Sequence, residues 1–121
     1  MIKEVYETIL VAVSVANSIN KFTFKPKKEH FKCVGIFFDV NKNDASQAIC
    51  QVGGSFNNQK SQIFNTFVFN KNSPNSDESN QILSIDQNIE GNNIITGYVQ
   101  DLAVAAPTYY VRITFKFLKN E

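Results

Sequence analysis

Tyr109-Tyr110-Val111-Arg112-Ile113-Thr114-Phe115-Lys116-Phe117 places large apolar residues at every odd position, with Tyr110, Arg112, Thr114 and Lys116 between them. Successive side chains of an extended chain point to opposite faces, so this period of two describes a strand with one face on a core and the other toward water. Upstream, seven more segments read the same way, at about 5–15, 20–25, 31–40, 46–52, 62–70, 81–86 and 93–100. Turn chemistry separates them: Pro26 with Lys27-Lys28-Glu29, Asn41-Lys42-Asn43-Asp44, Gly53-Gly54-Ser55, the polar run 70–80 with Pro74, Glu90-Gly91-Asn92, and Ala106-Pro107. Residues 102–106 allow one helical turn, which Pro107 would stop. No segment holds helical periodicity over three turns. The expectation is an all-β chain: a single compact β-sandwich domain over 1–121, of about eight antiparallel strands, jelly-roll or Greek-key like.

The 121 residues suit one domain, and 43% hydrophobic content with 11 Phe is enough for a core and too apolar for disorder. A net charge of +1 argues against specific nucleic-acid binding through a basic patch. No apolar run approaches the roughly 20 residues of a membrane-spanning helix. Ile9 to Ala16 is apolar, but Glu4 and Glu7 precede it against only Lys3, the wrong sign for a signal peptide. None of the 15 Asn stands in a glycosylation sequon. Cys33 and Cys50 sit in apolar runs, where reduced thiols act as small hydrophobes; whether they pair is open.

Three segments are apolar at both phases of the period: Ile9 to Ala16, Cys33 to Phe38 and Ile63 to Phe69. The outer face of a two-layer sandwich meets water, so such strands need cover on a second side. A long loop of the same chain or a neighbouring subunit could supply it, and the mostly hydrophilic loops favour the subunit. Phe37, Phe38, Phe64, Phe67 and Val68 are the candidate core or interface residues.

Chemistry-bearing constellations are thin. His30 is the one histidine, with no second imidazole for a metal cluster, and it reads as a surface or strand-end residue. Asp39 with Asp44, Asp77 with Glu78, and Asp86 with Glu90 read as solvated charges at strand ends and loops. Asp39-x-Asn41-x-Asn43-Asp44 and Asp86-x-Asn88-x-Glu90-Gly91 resemble calcium loops in part, but the twelfth positions are Cys50 and Gly97, not Glu. Lys25, Lys27, Lys28 and Lys32 surround Phe24 and Phe31, with Glu29 interrupting, as in a solvated turn. Tyr98, Tyr109 and Tyr110 offer rings for sugar stacking, although Tyr109 belongs to the inward phase. No catalytic residue, cofactor or metal is expected, and no enzyme.

The opening apolar strand, Phe22-Thr-Phe-Lys-Pro leading to Phe31-Lys-Cys-Val-Gly-Ile-Phe-Phe-Asp, the polar mid-chain run and the closing Pro107-Thr-Tyr-Tyr-Val-Arg-Ile-Thr-Phe-Lys-Phe strand together resemble small jelly-roll proteins of bacteriophage capsids, accessory or vertex components. The resemblance is one of pattern, carries no diagnostic motif and transfers no functional residue. It implies a non-enzymatic structural virion protein, made in the host cytoplasm, whose partners are its own copies or other capsid proteins. The alternative is a carbohydrate- or ligand-binding sandwich module acting through the loops around 41–44, 70–80 and 86–93.

Overall fold

The structure is a computed structural model, and it describes residues 1–15, 17–41, 49–56, 63–69, 82–89, 94–102 and 109–120. Among these residues there are eight strands and no helix: β1 (Ile2–Val13), β2 (Ile19–Phe24), β3 (His30–Asn41), β4 (Ile49–Phe56), β5 (Ile63–Phe69), β6 (Ile82–Asn88), β7 (Ile95–Asp101) and β8 (Tyr109–Asn120). They form two antiparallel sheets of four, a first sheet ordered β1-β8-β3-β6 and a second ordered β2-β7-β4-β5. β1 pairs with β8, β2 with β7, β3 with β6 and β4 with β5, the rungs of one long hairpin folded at the β4–β5 connection. Further pairing of β3 with β8 and of β4 with β7 rolls that hairpin into two facing sheets, the jelly-roll arrangement. The expected all-β sandwich is the fold.

The core lies between the sheets. Tyr109, Val111, Ile113, Phe115 and Phe117 of β8 are all buried, as the alternation requires for a strand with neighbours on both sides. Each side chain of this kind, fully buried, contributes about 1.5–3 kcal/mol. From the second sheet come Cys50, Val52 and Phe56 of β4, Phe64 and Val68 of β5, and Ile95 and Val99 of β7.

β3 breaks the simple period. Its buried side chains are His30, Cys33, Ile36, Phe38 and Val40, spaced by three, three, two and two. Register shifts against β8 fall between His30 and Lys32 and between Cys33 and Gly35, so Phe31 and Val34 are bulged residues without a partner in the ladder. Each bulge adds one residue and moves the following side chains to the opposite phase. The apolar run Cys33 to Phe38 is therefore less two-faced than its composition suggests: Cys33, Ile36 and Phe38 all point inward.

Gly53-Gly54-Ser55 is not a turn, as its composition led us to expect, but lies inside β4. The reason is close approach: a Cβ at Gly54 would sit 2.5 Å from the Thr96 carbonyl oxygen, one at Gly97 closer still to that of Gly53, and both against aromatic rings besides. Gly54 and Gly97 are cross-strand neighbours, flanked in register by Phe64 on one side and Phe22 on the other. A Cβ at Gly54 would sit 2.7 Å from the Phe64 ring, and one at Gly97 would sit 2.6 Å from the Phe22 ring. The two bare positions let both rings lie over the sheet. Gly53, on the opposite phase, is covered by the Tyr98 ring in the same way, 2.7–2.8 Å from where its Cβ would be. Other boundaries also moved: β1 begins at Ile2 and β8 runs on to Asn120.

Candidate functional site

The five candidate residues separate into three positions. Phe38, Phe64 and Val68 are in the core. Phe37 points out from the first sheet, half-buried, with its ring 6.3 Å from that of Tyr6 at an interplanar angle of 51°. Phe67 points out from the second sheet and is exposed, so Phe37 and Phe67 belong to different faces of the molecule.

Around Phe37 the outer face of the first sheet carries Tyr6, Leu10, Ile82 and Tyr110, each between 50% and 62% exposed. Ile82 is the cross-strand partner of Phe37, and Leu10 and Tyr110 lie diagonally across the β1–β8 pair. Ion pairs are interleaved with these apolar residues, Lys116 and Arg112 lying directly opposite Tyr6 and Leu10: Glu4 with Lys116 at 3.2 Å, Lys32 with Asp86 at 2.9 Å and Arg112 with Asp39 at 3.9 Å. Each pair joins neighbouring strands of the sheet, so the face balances its own charge.

Two polar locks close the sandwich. His30 is buried rather than on the surface, with Nδ1 2.7 Å from Glu7 Oε2. Its ring stacks on Phe117 at 5.0 Å, and Phe117 stacks in turn with Phe115 and Phe24. The Lys27 N–H also donates to Glu7 Oε2 at 3.4 Å, which ties the β2–β3 connection to β1. The second lock is Asp101, 1% exposed, which accepts from Tyr109 Oη at 2.6 Å and from the Asn17 N–H at 3.0 Å. Asn17 has φ of 60°, a left-handed conformation that Asn tolerates and that aims its N–H at the carboxylate. Burial and the bond to Asp101 push the Tyr109 hydroxyl pKa well up.

Cys33 and Cys50 are free and buried, on strands of opposite sheets. Burial pushes both thiols up to about 12, and for Cys50 the Asp101 carboxylate adds to the rise. A thiol held protonated is neither a nucleophile nor a metal ligand at neutral pH.

The second sheet presents a different surface. Its outer face carries a concavity of about 440 Å³, lined by Lys21, Ser55, Ile63, Asn65, Thr96 and Tyr98, with Gly54, Gly97 and the core residue Phe64 among them. Lys21, Tyr98, Gly53 and Asn65 form one cross-strand row, and Thr23, Thr96, Ser55 and Ile63 form the next. Tyr98 lies across Gly53 as the floor. Ser55 Oγ and Thr96 Oγ1 are 3.3 Å apart, and Gln51 Nε2 donates to Asn65 Oδ1 at 2.9 Å. Of the three tyrosines that could stack on a sugar, only Tyr98 lies in this concavity. Tyr109 is in the core and Tyr110 on the other sheet.

The partial calcium sequences do not form loops where they are described. Asp86 and Asn88 are outward residues of strand β6, and Asp86 is held by Lys32. Asp39 is in β3 near Arg112. Asp44, Asp77, Glu78, Glu90, Gly91, the run 70–80 and, from residue 103 on, the helical-turn expectation at 102–106 lie outside the described residues. Glu7 and Lys21 escaped the sequence reading because His30 and Tyr98 lie 23 and 77 positions away, and Asp101 because its site joins Tyr109, 8 positions away, to Asn17, 84 positions away. No helix among the described residues is long and apolar enough to cross a membrane. A scan against protein-family models and a search of curated proteins each return no match for this chain.

Proposed function

We propose that this protein is a structural subunit of a bacteriophage virion, a capsid-associated jelly roll that works by burying subunit against subunit. The observation that carries this reading is the outer face of the first sheet. Tyr6, Leu10, Phe37, Ile82 and Tyr110 present apolar side chains on it, and three intrachain ion pairs lie among them and neutralise its charge. Exposed apolar side chains among charges already paired within the chain suit burial against another subunit. The sheet is also large enough. β1, β3 and β8 are 12 residues each. At a rise of about 3.4 Å and a strand spacing of about 4.8 Å the face spans on the order of 700 Å². A standard interface uses about 800 Å² per partner.

The partner we favour is a second copy of the chain. Because each charge on this face is matched within the chain, a like face can approach without net repulsion, as a two-fold contact requires. The jelly-roll topology supports a place on a shell, since viral capsid domains use it, as does the pattern-level likeness of the sequence to phage capsid accessory proteins. The role needs no reaction and no cofactor.

Crosslinking and mass spectrometry of purified particles from the phage that encodes the chain test the proposal. The expected result is the protein present in amounts comparable to the shell protein, with crosslinks from Lys32 or Lys116 to a second copy. Its absence from washed particles would contradict the virion assignment.

A further inference from the structure

We propose that the concavity on the outer face of the second sheet binds a saccharide that bears a carboxylate. This goes beyond the assembly role and uses the opposite face of the sandwich. Four observations lead there.

The first is the floor. Gly53 lacks a Cβ where one would meet the phenol end of Tyr98 at 2.7–2.8 Å, so the tyrosine side chain lies across the bare backbone at that position. The slightly positive C–H bonds on one side of a pyranose ring match the negative π-face of a flat aromatic ring. A tyrosine already fixed by the backbone below it loses little freedom on binding.

The second is the wall and rim. Ile63 is exposed beside the floor, while Ser55, Thr96 and Asn65 supply hydroxyl and amide groups at the edge. Asn65 already accepts a hydrogen bond from Gln51 at 2.9 Å through Oδ1, which leaves its NH₂ group for a ligand hydroxyl. An apolar surface with a few neutral donors and acceptors is the usual lining of a small-molecule site, and about 440 Å³ falls inside the ~300–1,000 Å³ range of such sites.

The third is charge. Among the described outward residues of this sheet Lys21 alone is charged. No carboxylate among the described residues pairs with it, in contrast to Lys32, Arg112 and Lys116 on the other face. One ammonium at the edge of a neutral, hydroxyl-lined hollow selects a ligand with one negative group.

The fourth is geometry. Lys21 and Asn65 end the same cross-strand row, with Tyr98 and Gly53 between them. A sugar stacked on Tyr98 would therefore have its carboxylate toward β2 and its hydroxyls toward β5.

The test is calorimetric titration of the full chain with oligogalacturonate and sialyllactose as acidic probes and lactose and cellotetraose as neutral ones. Three variants accompany the wild type: Lys21→Gln, Tyr98→Ala and Gly53→Ala. The last keeps the tyrosine but forces its phenol end off the strand. The expected result is binding of at least one acidic probe, weakened about 10-fold or more by each variant, with the neutral probes bound more weakly and indifferent to Lys21→Gln. The proposal is overturned if no acidic probe binds at up to ~10 mM. It is also overturned if neutral probes bind as well as acidic ones, or if Tyr98→Ala and Gly53→Ala leave binding unchanged. A change of sedimentation mass in these variants would instead assign the concavity to a protein contact, and the saccharide reading would fail while the assembly role stood.

Discussion

Single buried polar groups decide how the ends of this sandwich are held. Asp101 has its carboxylate inside the protein and accepts there from Tyr109 Oη and the Asn17 N–H. Tyr109→Phe removes one donor and leaves a buried acceptor short of a partner. A loss of about 1–3 kcal/mol is expected in urea unfolding. The cysteines make a pH prediction. Both are raised from 9.0 to about 12 in the fold, so the folded chain keeps protons that the unfolded chain releases. Their contribution is fully present below 9.0 and is lost as pH rises through the window up to about 12. Comparing urea midpoints at about pH 8 and about pH 10 checks this: the wild type should lose more stability on alkalinisation than Cys33→Ala/Cys50→Ala, in which that linkage is gone.

At the scale of strands, the sequence was legible wherever one phase of the period meets the core and nothing interrupts it. β8 is the case in point, where Tyr109 to Phe117 predicts the buried set without error. β3 and β4 show where such reading stops. In β3, bulges at Phe31 and Val34 shift the phase twice, and no residue type announces a bulge by itself. In β4, the glycine pair has the composition of a turn, yet its cause is the close approach of the Thr96 carbonyl and the rings of Phe64 and Tyr98, which reach it only through the register. The concavity was hidden for the same reason, since Lys21, Tyr98 and Asn65 become neighbours only when β2, β7, β4 and β5 align. Glycine substitutions test this packing. Gly54→Ala would put a Cβ 2.5 Å from the Thr96 carbonyl oxygen, and backbone cannot move aside as a side chain can. A cost of about 1–3 kcal/mol is expected from thermal or urea melts. Gly35→Ala, whose Cβ would find its nearest neighbours at 3.8 Å, should change stability by no more than about 0.5 kcal/mol.

The whole molecule is a rolled hairpin with two unlike outer faces. The surplus of apolar residues visible in the sequence resolves into three parts: a core, a charge-balanced face with exposed apolar side chains on the first sheet, and a nearly uncharged face with a hollow on the second. A protein that decorates a shell needs one surface to hold its neighbours and is free to present the other. The central claim is that the first face is the one that holds. Sedimentation of the purified chain at about 100 µM, a concentration at which micromolar self-association is saturated, tests it against the double variant Tyr6→Asp/Leu10→Asp, with circular dichroism to verify that both are folded. The account predicts an oligomer for the wild type and a folded monomer of 13.7 kDa for the variant. A wild type that sediments at 13.7 kDa, or a variant that keeps the oligomeric mass, would contradict it.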